Sequence, residues 1–480
     1  MLDWIRLHWS ELFYASEWAV RLVMLVYVPQ RRSPAAARSW LLLIFLLPLP
    51  GLALYALFGR AFMPRKRLQL QSRVSRLLAN VPAPSWGPAP DQDFAVRFRD
   101  ASALAERLGE FPLVSGNNVE LLPDYDGSIL RLLDDIRAAK THVHLLYYIF
   151  GDDVVGQKIE AALVDAVRRG VRCIVLMDAL GSRRSIGTLA PRLRKAGIET
   201  HVLLPGGFFR NLHKDAARFD LRNHRKIAVI DGAVAYVGSQ NLVDKAFIPG
   251  IVYHELVARV TGPVVRQLQV VLLGDRFYET EDLPRQEAGV FPEMPPAGDV
   301  AAQVLPSGPG YRQANNLRWI TAVVYAAQHR VVLTTPYFVP DDTLREALVT
   351  AAQKGIEVRL IVSRVSDQWF VSHAQRSFYE ELLEAGVKIH LYRDHFLHAK
   401  HLSIDDQVVQ IGSSNLDIRS FALNAEVSLL MFDRDLAARL REIEEAYIAR
   451  SELLTLEVWQ RRPWHERVFE NVARLVDSLL

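Results

Sequence analysis

The pattern His-x-Lys-x-x-x-x-Asp occurs twice in this chain, from His224 through Lys226 to Asp231 and from His398 through Lys400 to Asp405. Both copies continue in register. Gly238, Ser239 and Asn241 stand after His224 at the same offsets at which Gly412, Ser413 and Asn415 stand after His398. Six matched positions at one spacing mark an internal duplication. The chain must therefore build one unit twice, and each copy supplies a His, a Lys, a Ser and an Asn.

Two histidines and two lysines without a surrounding cysteine or carboxylate cluster suit a phosphate diester better than a metal, so neither metal nor cofactor is expected. A diester resists attack because its oxygens are negative, and a catalyst must neutralise that charge, supply a nucleophile and protonate the leaving oxygen. Lys226 and Lys400 can each set a positive charge against the nonbridging oxygens, worth on the order of 4 kcal/mol at ~4 Å and an effective dielectric of ~20. Ser239, Asn241, Ser413 and Asn415 offer hydrogen-bond donors to the same oxygens. One imidazole can attack phosphorus and carry the phosphoryl group. The other can protonate the departing alkoxide and then deprotonate the incoming hydroxyl. A nucleophilic imidazole needs its far nitrogen held by an acceptor. Glu255, downstream of His224, and Glu426, downstream of His398, lie on apolar strand-like runs and are assigned that task. Asp231 and Asp405 complete the candidate catalytic motif. They follow strands ending at Ile230 and Ile404 and read as holders of the adjacent turn or of a basic neighbour. His142, His144, His213, His254, His395 and His401 lack the pattern and read as structural or surface histidines.

Charge is unevenly spread. The stretch 18–90 holds ten basic and no acidic side chains. The whole chain carries only +3 and the stretch 1–17 a net −2, so 91–480 is net −5. A body of that sign is a poor nonspecific nucleic-acid binder. The basic stretch suits an anionic lipid surface. Within it, Trp40 to Phe58 runs without a single charge and is long enough to enter a membrane. Pro48 and Pro50 interrupt it. Basic residues on both flanks conflict with a simple span. The segment is either a re-entrant hairpin with both ends on the cytoplasmic side or a plain span. Ala19 to Val28 is shorter and contains Arg21, as in an interfacial helix or a short first span. The lone cysteine, Cys173, excludes an internal disulfide and reads as a buried small hydrophobe.

Residues 1–80 thus form a membrane-anchoring region and 81–110 a linker that begins Pro-rich. Residues 111–282 form a first lobe, 283–300 a second linker and 301–480 a second lobe with a C-terminal helix. Within the lobes, strand, helix and strand alternate. The runs Thr141–Phe150, Val155–Arg169 and Val171–Asp178 are matched by Val331–Thr335, Thr343–Lys354 and Val358–Val362. That order implies an α/β fold with mainly parallel mixed sheets flanked by helices, in two pseudo-symmetric lobes with the site between them. From Pro463 on, Trp464, Val468, Val472, Leu475 and Leu479 recur at helical spacing, as in a helix packed on the body or touching a membrane. Tyr148 and Tyr337, at corresponding strand ends, are candidates to line the pocket mouth.

The duplicated His-Lys-Asp motif resembles that of the phospholipase D superfamily. More narrowly, the chain is similar to the bacterial cardiolipin synthases. The likeness rests on Trp40–Pro48, Tyr55–Arg60, Asn223–Lys226, Thr335–Asp341, Phe396–Lys400 and Gly412–Ser420. It covers nearly the whole chain. One departure is local: Glu255 falls three positions later than its counterpart. The resemblance implies two phospholipase D-like lobes, the bacterial inner membrane, and phosphatidylglycerol and cardiolipin as substrate and product. One phosphatidylglycerol would lose glycerol to leave a phosphatidyl-histidine. The headgroup hydroxyl of a second would resolve it. The resemblance makes His224 the nucleophile and His398 the general acid and base. The alternative is a membrane-bound phospholipase D or transphosphatidylase using water or another alcohol. Oligomeric state, monomer or homodimer, stays open.

Overall fold

The computed structural model describes residues 8–32, 34–59, 63, 65–89, 96–205, 220–282, 289–311 and 314–477. Parts of both expected linkers (90–95 and 283–288) and His213 lie outside these residues. The first half contributes strands β1 (Val114–Leu122), β2 (His142–Tyr147), β3 (Arg172–Asp178), β4 (Glu199–Leu203), β5 (Arg222–Asn223), β6 (Lys226–Ile230), β7 (Val234–Gly238), β8 (Tyr253–His254) and β9 (Val257–Thr261). The second contributes β10 (Val300–Ser307), β11 (Arg330–Thr334), β12 (Phe338–Val339), β13 (Glu357–Ser363), β14 (Lys388–Tyr392), β15 (Phe396–Leu397), β16 (His401–Ile404), β17 (Val408–Gly412), β18 (Leu416–Asp417), β19 (Asn424–Phe432) and β20 (Ser451–Leu454).

Successive strand residues feed opposite cores. In β2, Val143, Leu145 and Tyr147 pack with the helices Tyr125–Ala138 and Val154–Arg168, while Leu146 joins a core on the other face. Burial on both faces is why such strands read as unbroken apolar runs. The second core spans both halves, joining Leu146 and Ile227 to Val332 and Leu429 beneath the helices Val264–Thr280 and Arg434–Ala449. The crossover helices start at matching caps. Asp153 accepts from the amides of Val155 (3.1 Å) and Gly156 (3.0 Å), and Asp341 from that of Thr343 (2.7 Å). These bonds satisfy amides that a helix start leaves unpaired.

One 16-stranded sheet results, in the order β20-β14-β13-β11-β16-β17-β19-β10-β1-β9-β7-β6-β2-β3-β4, with β5 beside β19. From the β1–β10 junction outward the two halves run through equivalent strands. The two halves are joined edge to edge, because β1 and β10 pair antiparallel. One expectation is corrected here: the sheet is not mainly parallel. Parallel pairing is confined within it to β2–β3–β4, β11–β13–β14 and the short β5–β19 pair. The strand–helix–strand units are parallel as read, but each motif ends in a tight turn. Asp231 and Asp405 adopt left-handed φ values of 54° and 48°. They reverse β6 onto β7 and β16 onto β17 as antiparallel hairpins.

Both carboxylates fasten a neighbouring strand. Asp231 accepts the amides of Lys140 (2.8 Å), Thr141 (2.7 Å) and His142 (3.0 Å), where β2 begins. Asp405 accepts those of Gln328 (2.8 Å), His329 (2.7 Å) and Arg330 (2.8 Å), at β11, and the Arg97 guanidinium at 3.1 Å.

The N-terminal helices α1 (Trp9–Tyr27), α2 (Pro34–Leu46) and α3 (Pro48–Phe58) pack together. The run 40–58 breaks at Leu47, and Pro48 starts the next helix. Trp40 meets Tyr55 edge-on at 5.2 Å, and Arg32 reaches the Phe58 carbonyl at 3.3 Å. In a straight helix Trp40 and Tyr55 would lie about 22 Å apart. The segment therefore doubles back as a hairpin and is not one straight span. Among the described residues no helix is long and apolar enough to cross a membrane. The bundle is apolar outside as well as in: Leu42, Leu46 and Leu47 are exposed.

The C-terminal helix Trp464–Asp477 packs on the body, but not through its apolar stripe. It docks on the helix Trp369–Arg376 through its polar side, with Arg376 held by Glu466 (2.6 Å) and Glu470 (3.0 Å). Trp464, Val468 and Val472 face outward, Trp464 being 76% exposed. A part-buried ion network centred on the buried Glu470 has taken the inner face.

Asp405→Ala should lower unfolding stability by roughly 3 kcal/mol, because three backbone amides and the Arg97 guanidinium lose their buried charged acceptor. Asp405→Asn should cost less. Urea denaturation followed by tryptophan fluorescence measures both, and an unchanged midpoint for the alanine variant would contradict the anchoring role.

Candidate active site

His224 lies between β5 and β6, and His398 between β15 and β16. Each short strand before a histidine pairs in parallel with a strand of the other half. Arg222–Asn223 lies along Asn424–Ala425, and Phe396–Leu397 along Tyr253–His254. The ladder continues one step. The His224 amide donates to the Ala425 carbonyl (2.8 Å) and the His398 amide to the His254 carbonyl (2.7 Å). The next residue on each partner strand is a glutamate. The His224 Nδ1 therefore meets Glu426 at 2.9 Å and the His398 Nδ1 meets Glu255 at 2.7 Å. Each imidazole is oriented by the other half, so Nε2 is left as its reactive nitrogen. The later placing of Glu255 is absorbed in the chain between β7 and β8, where the second copy has the short helix Ile418–Ala422.

Gly238 and Gly412 allow this approach. A Cβ on Gly238 would collide with the Leu256 carbonyl oxygen, and one on Gly412 with that of Val427. The following serines clamp the same strands. Ser239 Oγ accepts from the Leu256 amide and Ser413 Oγ from the Val427 amide, both at 3.0 Å, and Ser413 donates to Glu426 at 2.5 Å. Both serines are fully buried. This corrects their expected place against the phosphate: their hydroxyls are spent on the strands that carry the glutamates.

Lys226 and Lys400 are buried, and each donates to the carbonyl of the histidine two residues before it (2.6 and 2.8 Å). Burial pushes Lys226 down to about 7 and Lys400 down to about 8, against the attraction of Glu426 and Glu255. Burial also lowers both imidazoles, His224 to about 4, with the two lysines adding to the effect and the glutamates opposing it. Burial alone would raise Glu255 and Glu426. The facing histidines, together with the lysines and the serine hydroxyls, outweigh it and hold both carboxylates below the usual range.

His224 and His398 line one cavity of about 460 Å³. Asn241 and Asn415 line it too. Asn241 accepts the Ile149 amide at 3.1 Å through Oδ1, which leaves its amide hydrogens for a ligand. Tyr148 and Tyr337 are on the wall as expected, with ring centroids 4.8 Å from His224 and 6.5 Å from His398 respectively. Asp231 and Asp405 are not part of the lining, and Lys226 and Lys400 lie behind it. His144, read as structural, is buried with Gln269 at 2.8 Å.

Sequence reasoning passed over several wall residues. Arg222 and Arg419 stand toward Tyr148, whose hydroxyl senses both. Asp367 and Tyr253 stand toward His398. Arg222 sits two residues before the first motif, where the second copy has Phe396. That mismatch was the available signal. Asp367 lies in a stretch with no duplicated partner pattern and gave none.

The family described as "Cardiolipin synthase, PLD-like domain" matches residues 132–271 and 320–447, and the phospholipase D-nuclease N-terminal family matches 18–60. Cardiolipin synthase A of Pectobacterium carotovorum subsp. carotovorum (strain PC1) is 35% identical over 473 residues, covering 95% of this chain and 96% of its own. Cardiolipin synthase A of Yersinia pseudotuberculosis serotype O:3 (strain YPIII) is also 35% identical, over 474 residues, with 95% of this chain and 96% of its own covered. The crystal structure of phosphatidylserine synthase from Haemophilus influenzae Rd KW20 shares the fold, with a TM-score of 0.57 at 15% identity, covering 79% of this chain and all of that one. With one family matched on both copies of the motif and relatives aligned along nearly its full length, the chain belongs to the cardiolipin synthase family of phospholipase D-like proteins.

Proposed function

We propose that the protein is a cardiolipin synthase that moves a phosphatidyl group from one phosphatidylglycerol to the headgroup of another. The observation that carries this reading is the pair of imidazoles, each held at Nδ1 by a glutamate from the opposite half, on one cavity. His224, neutral at pH 7, attacks phosphorus through Nε2. The glycerol oxygen leaves and takes a proton from His398, giving free glycerol and phosphatidyl-His224. His398, now neutral, removes the proton of the incoming headgroup hydroxyl. That oxygen displaces His224, and cardiolipin is released. The Asn241 amide faces the negative oxygens throughout, the charges of Lys226 and Lys400 act on them from behind the cavity wall, and Asp231 and Asp405 hold the motif turns.

The body sits on the bacterial inner membrane, on its cytoplasmic face, with the α2–α3 hairpin inserted from one side. Three features support this: the hairpin's exposed leucines, the ten basic residues of 18–90, a stretch with no acidic one, and the outward stripe of the C-terminal helix. Phe370 and Leu180, both part-exposed, rim the cavity mouth on that body. Seating the mouth in lipid brings it headgroup hydroxyls in place of water.

His224→Ala and His398→Ala should each lower turnover by at least ~10³-fold, since each removes a nucleophile or proton carrier. Purified protein in phosphatidylglycerol bilayers should form cardiolipin and glycerol in equal amounts. Phosphatidic acid as the sole product would point to a phospholipase D instead. Labelled lipid phosphate should be trapped on His224 and not on His398.

The lowered lysines set a pH signature. They are charged below about 7 to 8 and lose charge as pH rises. An anionic diester favours their charged form, so KM for phosphatidylglycerol should rise from pH 7 to 9 at fixed ionic strength. A KM flat over that range would contradict their role in binding. Replacing Leu46 and Leu47 together by Asp should release the protein from lipid vesicles in a flotation assay.

A further inference from the structure

The cavity is not symmetric. Toward His224 its wall carries Arg222 and Arg419, whose charges reach the Tyr148 hydroxyl. Toward His398 it carries a carboxylate, Asp367, flanked by Tyr253 and Tyr337, while the other carboxylate of the lining, Asp417, accepts the Ser420 amide at 2.6 Å. A negative group on the wall of a site for an anion weakens phosphate binding, and its field reaches Lys400. The motif chemistry described above gives Asp367 no task.

Hydrogen-bond accounting narrows what it can meet. Tyr253 donates its hydroxyl proton to Asp367 Oδ2 at 2.9 Å, and Tyr337 donates its own to Oδ1 at 2.5 Å. Burial and the carboxylate together hold both phenols protonated. Each tyrosine has thus spent its one proton. A carboxylate has none, so all three groups have lone pairs left to offer and no donors. A second phosphate would find acceptors facing acceptors. A neutral group rich in O–H donors finds partners. Position adds to this. The rings of Tyr253 and Tyr337 lie 5.3 and 6.5 Å from that of His398, the proton donor to the leaving oxygen and acceptor from the entering one. In an in-line displacement both oxygens pass on that side of phosphorus, opposite the nucleophile.

We propose that Asp367, held by Tyr253 and Tyr337, forms a polyol subsite. It accepts hydrogen bonds from the free hydroxyls of the leaving glycerol and then from the glycerol headgroup of the acceptor lipid. The inference rests on the transfer reaction proposed above and names the group that selects its alcohol. Asp367 is a specificity-determining residue: it binds the part of the alcohol that does not react.

The test compares two alcohols in the same enzyme preparation. The full chain, in phosphatidylglycerol–detergent mixed micelles, receives either labelled glycerol or labelled 1-propanol, which lacks the additional hydroxyls. Exchange into phosphatidylglycerol is compared with formation of phosphatidylpropanol. Wild type should prefer glycerol. Asp367→Asn should cut the glycerol-to-propanol ratio at least ~10-fold, the scale of a hydrogen bond to a charged acceptor. Tyr337→Phe, which keeps the carboxylate, should cut it by a smaller factor. The ratio is internally normalised, so partial misfolding leaves it unmoved. An unchanged ratio in Asp367→Asn would overturn the subsite. So would a variant whose larger loss is in headgroup exchange on phosphatidylethanolamine, which would assign the carboxylate to an ammonium. A wild type that transfers to neither alcohol would instead refute the transferase reading itself.

Discussion

Two short parallel strand pairs hold this molecule's chemistry in place. Where Arg222–Asn223 lies along Asn424–Ala425, and Phe396–Leu397 along Tyr253–His254, the backbone of one half fixes the height at which a histidine of that half meets a glutamate of the other. The conformation of the site therefore depends on pairing between segments far apart in the chain, His224 with Glu426 and His398 with Glu255. Neither half alone holds a correctly oriented imidazole. The glycines that admit the close approach and the serines that clamp the glutamate strands serve this same geometry, and the single fused sheet keeps the two halves from drifting apart.

Charge balance makes the burial tolerable. Two ammonium groups and two carboxylates lie together with two neutral imidazoles, so the resting site carries no large net charge despite being almost closed to water. Unpaired buried charges are costly, and each here has an opposite neighbour. An arriving diester adds one negative charge. The site can answer by keeping both lysines protonated and by loading a proton on one imidazole, the state that the proposed first transfer needs. Substrate binding and preparation of the acid are thus one electrostatic event.

Much of this was legible in the chain. A motif repeated at fixed offsets announced the duplication, and apolar runs placed β2, β3, β11 and β13 to within a few residues. The glutamates were found as the carboxylates on apolar strands downstream of each motif. Their crossing was not, because nothing local in a sequence says which half a strand will pair with. The parallel sheet was over-extended because the turns at Asp231 and Asp405 depend on a left-handed backbone that aspartate adopts without announcing it. The serines looked like phosphate donors because a hydroxyl beside a motif carries no mark of the carbonyl or carboxylate it will satisfy. The outward stripe of the C-terminal helix was hidden for a similar reason. Its inner face is held by Arg376 and Glu470, a partnership visible only after folding.

That outward stripe bears on kinetics. On the membrane seating proposed above, with the tryptophan and valines of the C-terminal helix and the leucines of the hairpin in lipid, the enzyme finds its reactants by lateral search within a film rather than by collision from bulk solution. Its velocity then follows the mole fraction of phosphatidylglycerol in the surface, not the amount in the tube. Inert lipid added to the film dilutes the reaction even when every phosphatidylglycerol molecule remains present. Because two molecules of the same lipid are consumed in turn, that dilution acts on both proposed transfers.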